Sequence, residues 1–513
     1  MVAPESLTEP ATDEPASTAV NERAARRAEH RMLVDGELVE SRDGATFDNF
    51  SPATGKMLGS TTAAGRYDMD SAIGAARRAF DESSWAVDPA LRRRCLGQLQ
   101  EALEGEREEL REELIAEAGA PVMTTQIAQL DWPLADSLVS AVELMGVFPW
   151  ERELVGGGVG GEDTRRVVWK EPVGVVGAII PWNFPFEIAI NKLAQALATG
   201  NTMVLKPDPN TPWTATRIGR LIAEHTDIPA GVVNVVPTPD NDVAAMLVTD
   251  RRIDMVSFTG STAVGRSIAG KAGETLKRAF LELGGKSAAV MLDDADIETV
   301  IPNMAAVCMH AGQGCGIATR LLVPKDRLEE VVTRLAEMFA FLTPADPALA
   351  GTLLGPVINA RQQERILGYL DRARAAGAEI AVGGSAPVGL PAGIVGGSYV
   401  SATVVTGVDN SAEIARDEVF GPVLVVLPCD DEDDALRIAN DSDYGLSGAV
   451  YSRSRERALA FARKVRTGSM SINGAIYYGG DAPFGGYKSS GLGRQNGLEG
   501  FEQYLETKIV AYT

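Results

Sequence analysis

From Val173 to Ala269 the chain alternates short apolar runs with amphipathic stretches, and no other feature restricts the fold as much. Residues 175–180, 202–205, 232–236 and 255–258 have the length and apolar continuity of buried strands. Residues 186–199, 214–224, 242–248 and 263–269 carry helical spacing between them, the first closed by Gly200. Strand, helix and strand in succession pack as a parallel sheet through right-handed crossovers, with the helices on its faces. The spacing therefore predicts a Rossmann-like α/β domain. A second alternating region follows Gly285, with a strand at 288–292, helices at 297–310 and 328–341, and later strands near Leu424. It reads as a second α/β domain.

A chain of 513 residues, 45% hydrophobic and 23% charged, has the composition of a soluble globular protein and room for two to four domains. Ahead of the alternation, residues 32–40 alternate around Asp35-Gly36 as a hairpin does, and 69–80 and 90–117 have helical periodicity. Residues 1–28 hold few large apolar side chains, are dominated by Pro, Ala, Thr and Glu, and are expected to be a disordered tail. They lack the basic and apolar regions of a secretory signal. The net charge of −22 opposes non-specific binding to nucleic acid or an anionic membrane. No apolar run reaches the roughly 18 residues of a membrane-spanning helix. Cys95, Cys308, Cys315 and Cys429 have no paired spacing, so a reducing, cytoplasmic setting is expected. With His30, His225 and His310 alone and no CxxC or HExxH, no metal site is expected; His310 reads as a packed helical histidine and Cys308 as core filler.

Cys315 lies in Gly312-Gln313-Gly314-Cys315-Gly316, where small neighbours let a substrate carbon approach the sulfur and let the Cys315 backbone N–H point at the same spot. On this run alone, a structural thiol in a Gly-rich turn fits equally well. Two further segments favour chemistry. Leu281-Glu282-Leu283-Gly284-Gly285-Lys286 sets a carboxylate at the end of an apolar strand, and Pro181-Trp182-Asn183-Phe184-Pro185 holds a side-chain amide between prolines. An amide for an oxyanion, a carboxylate for water and a thiolate nucleophile are the parts that oxidise a carbonyl through a thioester. With Glu418-Val419-Phe420-Gly421-Pro422 and Pro483-Phe484-Gly485-Gly486-Tyr487-Lys488, the chain from about Met32 onward resembles the aldehyde dehydrogenase superfamily in motif order and spacing.

The resemblance implies an NAD(P)-dependent, non-acylating enzyme with Cys315, Glu282, Asn183 and Lys192 as catalytic residues. It implies cofactor contacts from Ile179, Pro181, Trp182, Lys206, Pro209, Gly260, Ser261, Gly265, Leu283, Glu418 and Phe420. A substrate tunnel is implied at Phe184, Ile188, Asn191, Gly314, Gly316, Tyr477 and Tyr478; the same residues would also suit a packed core. The family often has Glu where Pro209 stands, and without that carboxylate NADP is possible beside NAD. The implied organisation is a cofactor domain (29–153 and 173–284), a catalytic domain (285–488) and a small β oligomerisation element (154–172 and 489–513). A homodimer or homotetramer would follow. Arg494 and Glu506 would pair near the interface, beside Gln495 where the family usually has Glu.

From the residues themselves, Phe258-Thr259-Gly260-Ser261-Thr262 with Gly265 runs from strand into helix, as a phosphate cradle does, although a plain capped helix has the same pattern. Gly156 to Gly161 match GxGxxG but follow no apolar strand and open no helix; they read as a flexible turn before an exposed hairpin strand at 166–169. Gly265, Gly270 and Lys271 fit a Walker A frame, but Ala272 replaces the hydroxyl that would hold Mg²⁺, which argues against an NTPase. A CoA-acylating relative is the nearest rival and tends to lack the carboxylate that Glu282 supplies. A non-catalytic member of the fold would have no need for Cys315, Glu282 and Asn183 together.

Overall fold

The uniformly apolar runs become the inner strands of two sheets, because strands covered by helices on both faces must be hydrophobic throughout. In the computed structural model, which describes residues 16–156, 158–161 and 163–513, the first sheet has eight strands. Their order is Glu37–Val39, Met32–Val34, Val233–Val235, Thr202–Lys206, Val175–Ile179, Met255–Thr259, Arg278–Glu282 and Gly491–Leu492. The strands from Val233–Val235 to Arg278–Glu282 run parallel; the N-terminal hairpin and Gly491–Leu492 are antiparallel additions at the two edges. From Val175–Ile179 the chain crosses to Thr202–Lys206 on one side and later returns to Met255–Thr259 on the other. That reversal opens a crevice at the carboxyl ends of Val175–Ile179 and Met255–Thr259, where open α/β sheets bind ligands.

The second sheet orders Glu379–Val382, Thr403–Thr406, Val423–Cys429, Ala318–Pro324, Ser287–Met291, Ser447–Tyr451 and Ser469–Ile472, all parallel except the first. Its own apolar core includes Val290, Leu322, Val425 and Phe461. A third sheet joins Glu151–Glu153, Arg165–Pro172 and Leu505–Tyr512. Glu151–Glu153 pairs with Arg165–Pro172, and Gly491–Leu492 pairs with Leu281 and Glu282 at the edge of the first sheet. Trp169 is on the middle strand of the small sheet, and the outer edge beyond Leu505–Tyr512 exposes Ile509 and Tyr512.

Several expectations are corrected. Residues 16–27, assigned above to a disordered tail, form the helix Ala16–Arg27. Its alanines favour helix, Val20 and Ala24 are buried, and Arg23 and Arg27 pair with Glu112 at 2.6 and 3.3 Å. Residues 1–15 lie outside the described residues, as does Gly157 of the GxGxxG run, whose remainder holds a single 3₁₀ turn at Gly158–Gly160. The helical stretch 90–117 breaks at Glu106 into Pro89–Gly105 and Arg107–Ala118, and 242–248 is two short helices. The helix predicted for 297–310 ends at Met304, after Pro302 has removed a backbone donor. A 3₁₀ segment follows and turns sharply, with φ of 47° at His310, 52° at Ala311 and 72° at Gly312. At Gly312 a side chain would run into the Gly421 carbonyl. Three left-handed residues in succession are costly, and this turn is what delivers Gln313–Cys315 to the first sheet. No described helix is long and apolar enough to cross a membrane.

Candidate active site

Asn183 follows the strand Val175–Ile179, and Pro185 then starts the helix Pro185–Ala198 with a ring whose φ already suits its first turn. Asn183 is buried between two chain segments: its carbonyl accepts from Gln129 Nε2 at 2.6 Å, and its Nδ2 donates to the Gln313 carbonyl at 2.8 Å. An amide nitrogen carries two hydrogens, so one remains for the cavity that Asn183 lines. The bond to Gln313 also fixes Asn183 to the segment that carries Cys315.

Glu282 ends the strand Arg278–Glu282, and neither carboxyl oxygen has a hydrogen-bond partner. Burial pushes its carboxyl up to about 8, with Lys192 and Arg494 pulling downward and Glu187 adding to the rise. Lys192, fully buried and not part of the cavity wall, donates from Nζ to Ser257 Oγ at 2.9 Å, and its Nζ lies 4.7 Å from the centre of the Phe280 ring. Burial lowers it to about 7 against the pull of Glu282 and Glu187. Ser257 Oγ is in turn 3.1 Å from the Tyr504 hydroxyl.

Cys315 is partly open to the same cavity. Burial, then the carboxyls of Glu282, Glu187 and Glu418, push its thiol well above the ordinary range, while the Gly316 N–H lowers it. The glycines beside it leave space: a Cβ at Gly314 would lie 2.7 Å from Ile317 Cδ1, and one at Gly316 would lie 3.3 Å from the Tyr477 hydroxyl. His310 lines the cavity too, edge-on to Phe184, with neither ring nitrogen hydrogen-bonded. Burial holds its ring down to about 4 against the pull of the Asn183 backbone, and no hydrogen bond joins it to Cys315 among the described residues.

The cavity has a volume of about 520 Å³ and is lined mainly by carbon. Phe184, Ile188, Gly314, Gly316, Tyr477 and Tyr478 all line it. Asn191 does not: it is buried behind Glu187 and donates to that carboxyl. Thr259 and Glu282 are also part of the wall, so the cavity meets the sheet crevice at the end of Met255–Thr259.

That crevice fits a dinucleotide. Ser261 caps the helix Thr262–Gly273, accepting from the Val264 N–H at 3.4 Å, and the other first-turn N–H groups have no intrahelical acceptor. A Cβ at Gly265 would come within 2.5 Å of Leu283, so this helix start lies close against the Glu282 strand end. Ile179 pairs with Phe258 and Lys206, and Pro181 and Trp182 follow it along the crevice. Lys206 Nζ is buried and donates to the Pro207 carbonyl at 2.9 Å; Pro209, in the turn beyond, is partly open. Gly260 donates to the Glu282 carbonyl at 3.0 Å. On the opposite side, Glu418 accepts from the Gly285 N–H at 3.0 Å, and Phe420, at φ 58°, sets its ring 5.4 Å from that of Trp182.

Residues 38–510 match the aldehyde dehydrogenase family. The chain belongs to that family. A putative aldehyde dehydrogenase of Bacillus subtilis, DhaS, is 36% identical over 94% of this chain and 95% of its own length. A 3-succinoylsemialdehyde-pyridine dehydrogenase of a Pseudomonas species is 39% identical over 93% of this chain and 98% of its own. Among solved structures, the betaine aldehyde dehydrogenase of Staphylococcus aureus, bound to NAD+, superposes with a TM-score of 0.91 at 32% identity, covering 97% of each chain. The indole-3-acetaldehyde dehydrogenase of P. syringae, also with NAD+, has a TM-score of 0.91 at 34% identity over 97% of this chain and 99% of that one.

In this aldehyde dehydrogenase the sequence reading passed over three cavity groups. Thr124, Ile127 and Trp132, in and beside the π-helical turn Thr125–Gln129, form a wall from a region with no motif. Gln495 is part of the cavity wall, with its Oε1 unpaired. Glu187 is a buried acid whose place in the first turn of a helix looks ordinary in the sequence. Within the single chain, Arg494 and Glu506 have separate partners. Glu506 pairs with Arg278 at 2.8 Å, and Arg494 donates to the Gly486 and Gly493 carbonyls.

Proposed function

We propose that the chain oxidises an aldehyde to the carboxylic acid with NAD+ and water, without acyl transfer to CoA. The observation that carries this reading is Glu282, an unpaired carboxylate in the wall of the same cavity as Cys315 and Asn183. Cys315, as thiolate, attacks the aldehyde carbon. The oxyanion of the thiohemiacetal takes hydrogen bonds from the free Asn183 N–H and the Cys315 backbone N–H. Gly260, Ser261, Gly265, Lys206, Trp182, Glu418 and Phe420 would hold the cofactor, which supplies the hydride acceptor. Glu282 then takes a proton from water as the water attacks the thioester carbon, and the carboxylate leaves as Cys315 sulfur is regained. The Cys315 thiol in its carboxyl-rich setting holds its proton; a positively charged ring nearby would favour the thiolate.

One assay tests the reaction and the cofactor choice. NADH should form from NAD+ and an aldehyde, at a rate that CoA does not raise; dependence on CoA with an acyl-CoA product would overturn the hydrolytic reading. In the same assay NADP+ should also be used, less well than NAD+. Pro209→Glu should weaken NADP+ more than NAD+ by placing a carboxylate near the 2′-phosphate. An unchanged ratio would show that this turn does not meet the ribose. The reading also pairs the open edge of Leu505–Tyr512 with a second copy, as a homodimer or homotetramer. Light scattering that gives the mass of a single chain, 54.3 kDa, would refute that assembly.

A further inference from the structure

Glu187 has no part in the reaction described above, yet it is a carboxyl group in the wall of the substrate cavity. It occupies the first turn of Pro185–Ala198, with Ile188 beside it, and is 6% exposed. Its Oε1 accepts from both the Tyr478 hydroxyl and Asn191 Nδ2, whereas Oε2 has no protein partner among the described residues. Burial raises the carboxyl to about 7, with Tyr478, Lys192 and Asn191 pulling the other way. A wall that served only to exclude water would be better filled by an apolar side chain, because taking an acid out of water is costly. Around it the wall is aromatic. The Tyr478 ring is edge-on to Trp132 at 5.2 Å and to Phe484 at 5.1 Å.

We propose that Glu187 determines specificity, selecting aldehydes that carry a hydrogen-bond donor, a hydroxyl or an ammonium, and rejecting those that carry a second carboxylate. The proposal rests on the aldehyde oxidation reading above. Oε2 accepts the donor while Tyr478 and Asn191 hold the carboxyl in place. A cationic donor gains further from the aromatic faces and draws Glu187 into its charged form. Above pH about 8, where both Glu187 and Glu282 are ionised, a carboxylate on the substrate meets like charges in a site of low dielectric, since both acids line the same cavity.

The test is run above pH about 8, where Glu187 is charged, and uses NAD+ and para-substituted benzaldehydes of similar size, bearing hydroxymethyl, dimethylaminomethyl, ethyl or carboxy groups. In the unaltered protein kcat/KM should favour the hydroxymethyl and dimethylaminomethyl compounds over the ethyl one by about 10-fold or more, the scale of a hydrogen bond to a charged group. The carboxy compound should be the poorest. Glu187→Leu should bring the donor-to-ethyl ratios near one and improve the carboxy compound relative to ethyl. Glu187→Gln, which keeps the shape and an acceptor oxygen, should retain the hydroxymethyl preference and lose the cationic one. Each ratio is taken within one protein, so a partial loss of folded enzyme cancels; if the Leu variant does not fold, the Gln variant decides. Equal rates for donor and ethyl compounds in the unaltered protein, or ratios unmoved by either substitution, would overturn the proposal. Failure to form NADH from every aldehyde would instead overturn the oxidation reading itself.

Discussion

Replacing Cys315 with Ala is expected to abolish aldehyde turnover, by about 10⁴-fold or more, as loss of a nucleophile from a concerted site does. The fold should survive. Cys315 is in a collar of small residues and faces a cavity, so removing its sulfur leaves no new void in a packed core. Cofactor affinity should be retained as well, because the helix start at Thr262 and the Trp182–Phe420 pair are built by other segments. Stopped-flow detection of NADH, beside a titration of NAD+ by protein fluorescence, separates the two outcomes. A Cys315→Ala protein that still oxidises aldehyde at the original rate would remove the nucleophile from the scheme.

Glu282→Gln should act later in the cycle. A general base contributes about 10²–10⁴-fold, and the loss should fall on hydrolysis of the thioester more than on its formation. The expected trace is a burst of NADH followed by very slow steady turnover. The pH dependence has a definite sign. The base must be a carboxylate, and burial sets the group at about 8. Where hydrolysis limits, the steady rate should therefore rise with pH up to about 8 and level above it. The Gln variant should lack that rise. Equal loss of burst and steady rate would assign Glu282 a structural part in place of a chemical one.

The first sheet was legible because its inner strands are buried on both faces. Runs such as 202–205 and 255–258 need no partner to be recognised, and their order with the helices leaves few topologies open. Asn183, Glu282 and Cys315, which share the cavity wall, stand out in the sequence for another reason: Asn183 and Cys315 lie in turns of unusual composition, and Glu282 is the last residue of an apolar strand before two glycines. What escaped was decided by contacts between segments distant in sequence. The Ala16–Arg27 helix is held by Glu112, and the left-handed turn at His310–Gly312 packs against the Gly421 carbonyl. Glu506 met Arg278 because Leu505–Tyr512 runs beside the end of the cofactor sheet, where the Arg278 guanidinium also reaches the Gln503 and Leu505 carbonyls. Glu187 escaped because acids in the first turn of a helix are commonplace; only its burial against Tyr478 sets it apart.

The strand Gly491–Leu492 closes the sheet beside Glu282, Gln495 joins the cavity wall, and Tyr504 completes the contact with Ser257 above Lys192. All three come from the last segment of the described chain to be translated, long after Cys315, Asn183 and Glu282 have been made. During synthesis the protein thus passes through a stage in which its reactive groups exist but the chamber around them has an open side. A polypeptide that stops short of those residues lacks that side of the cavity wall.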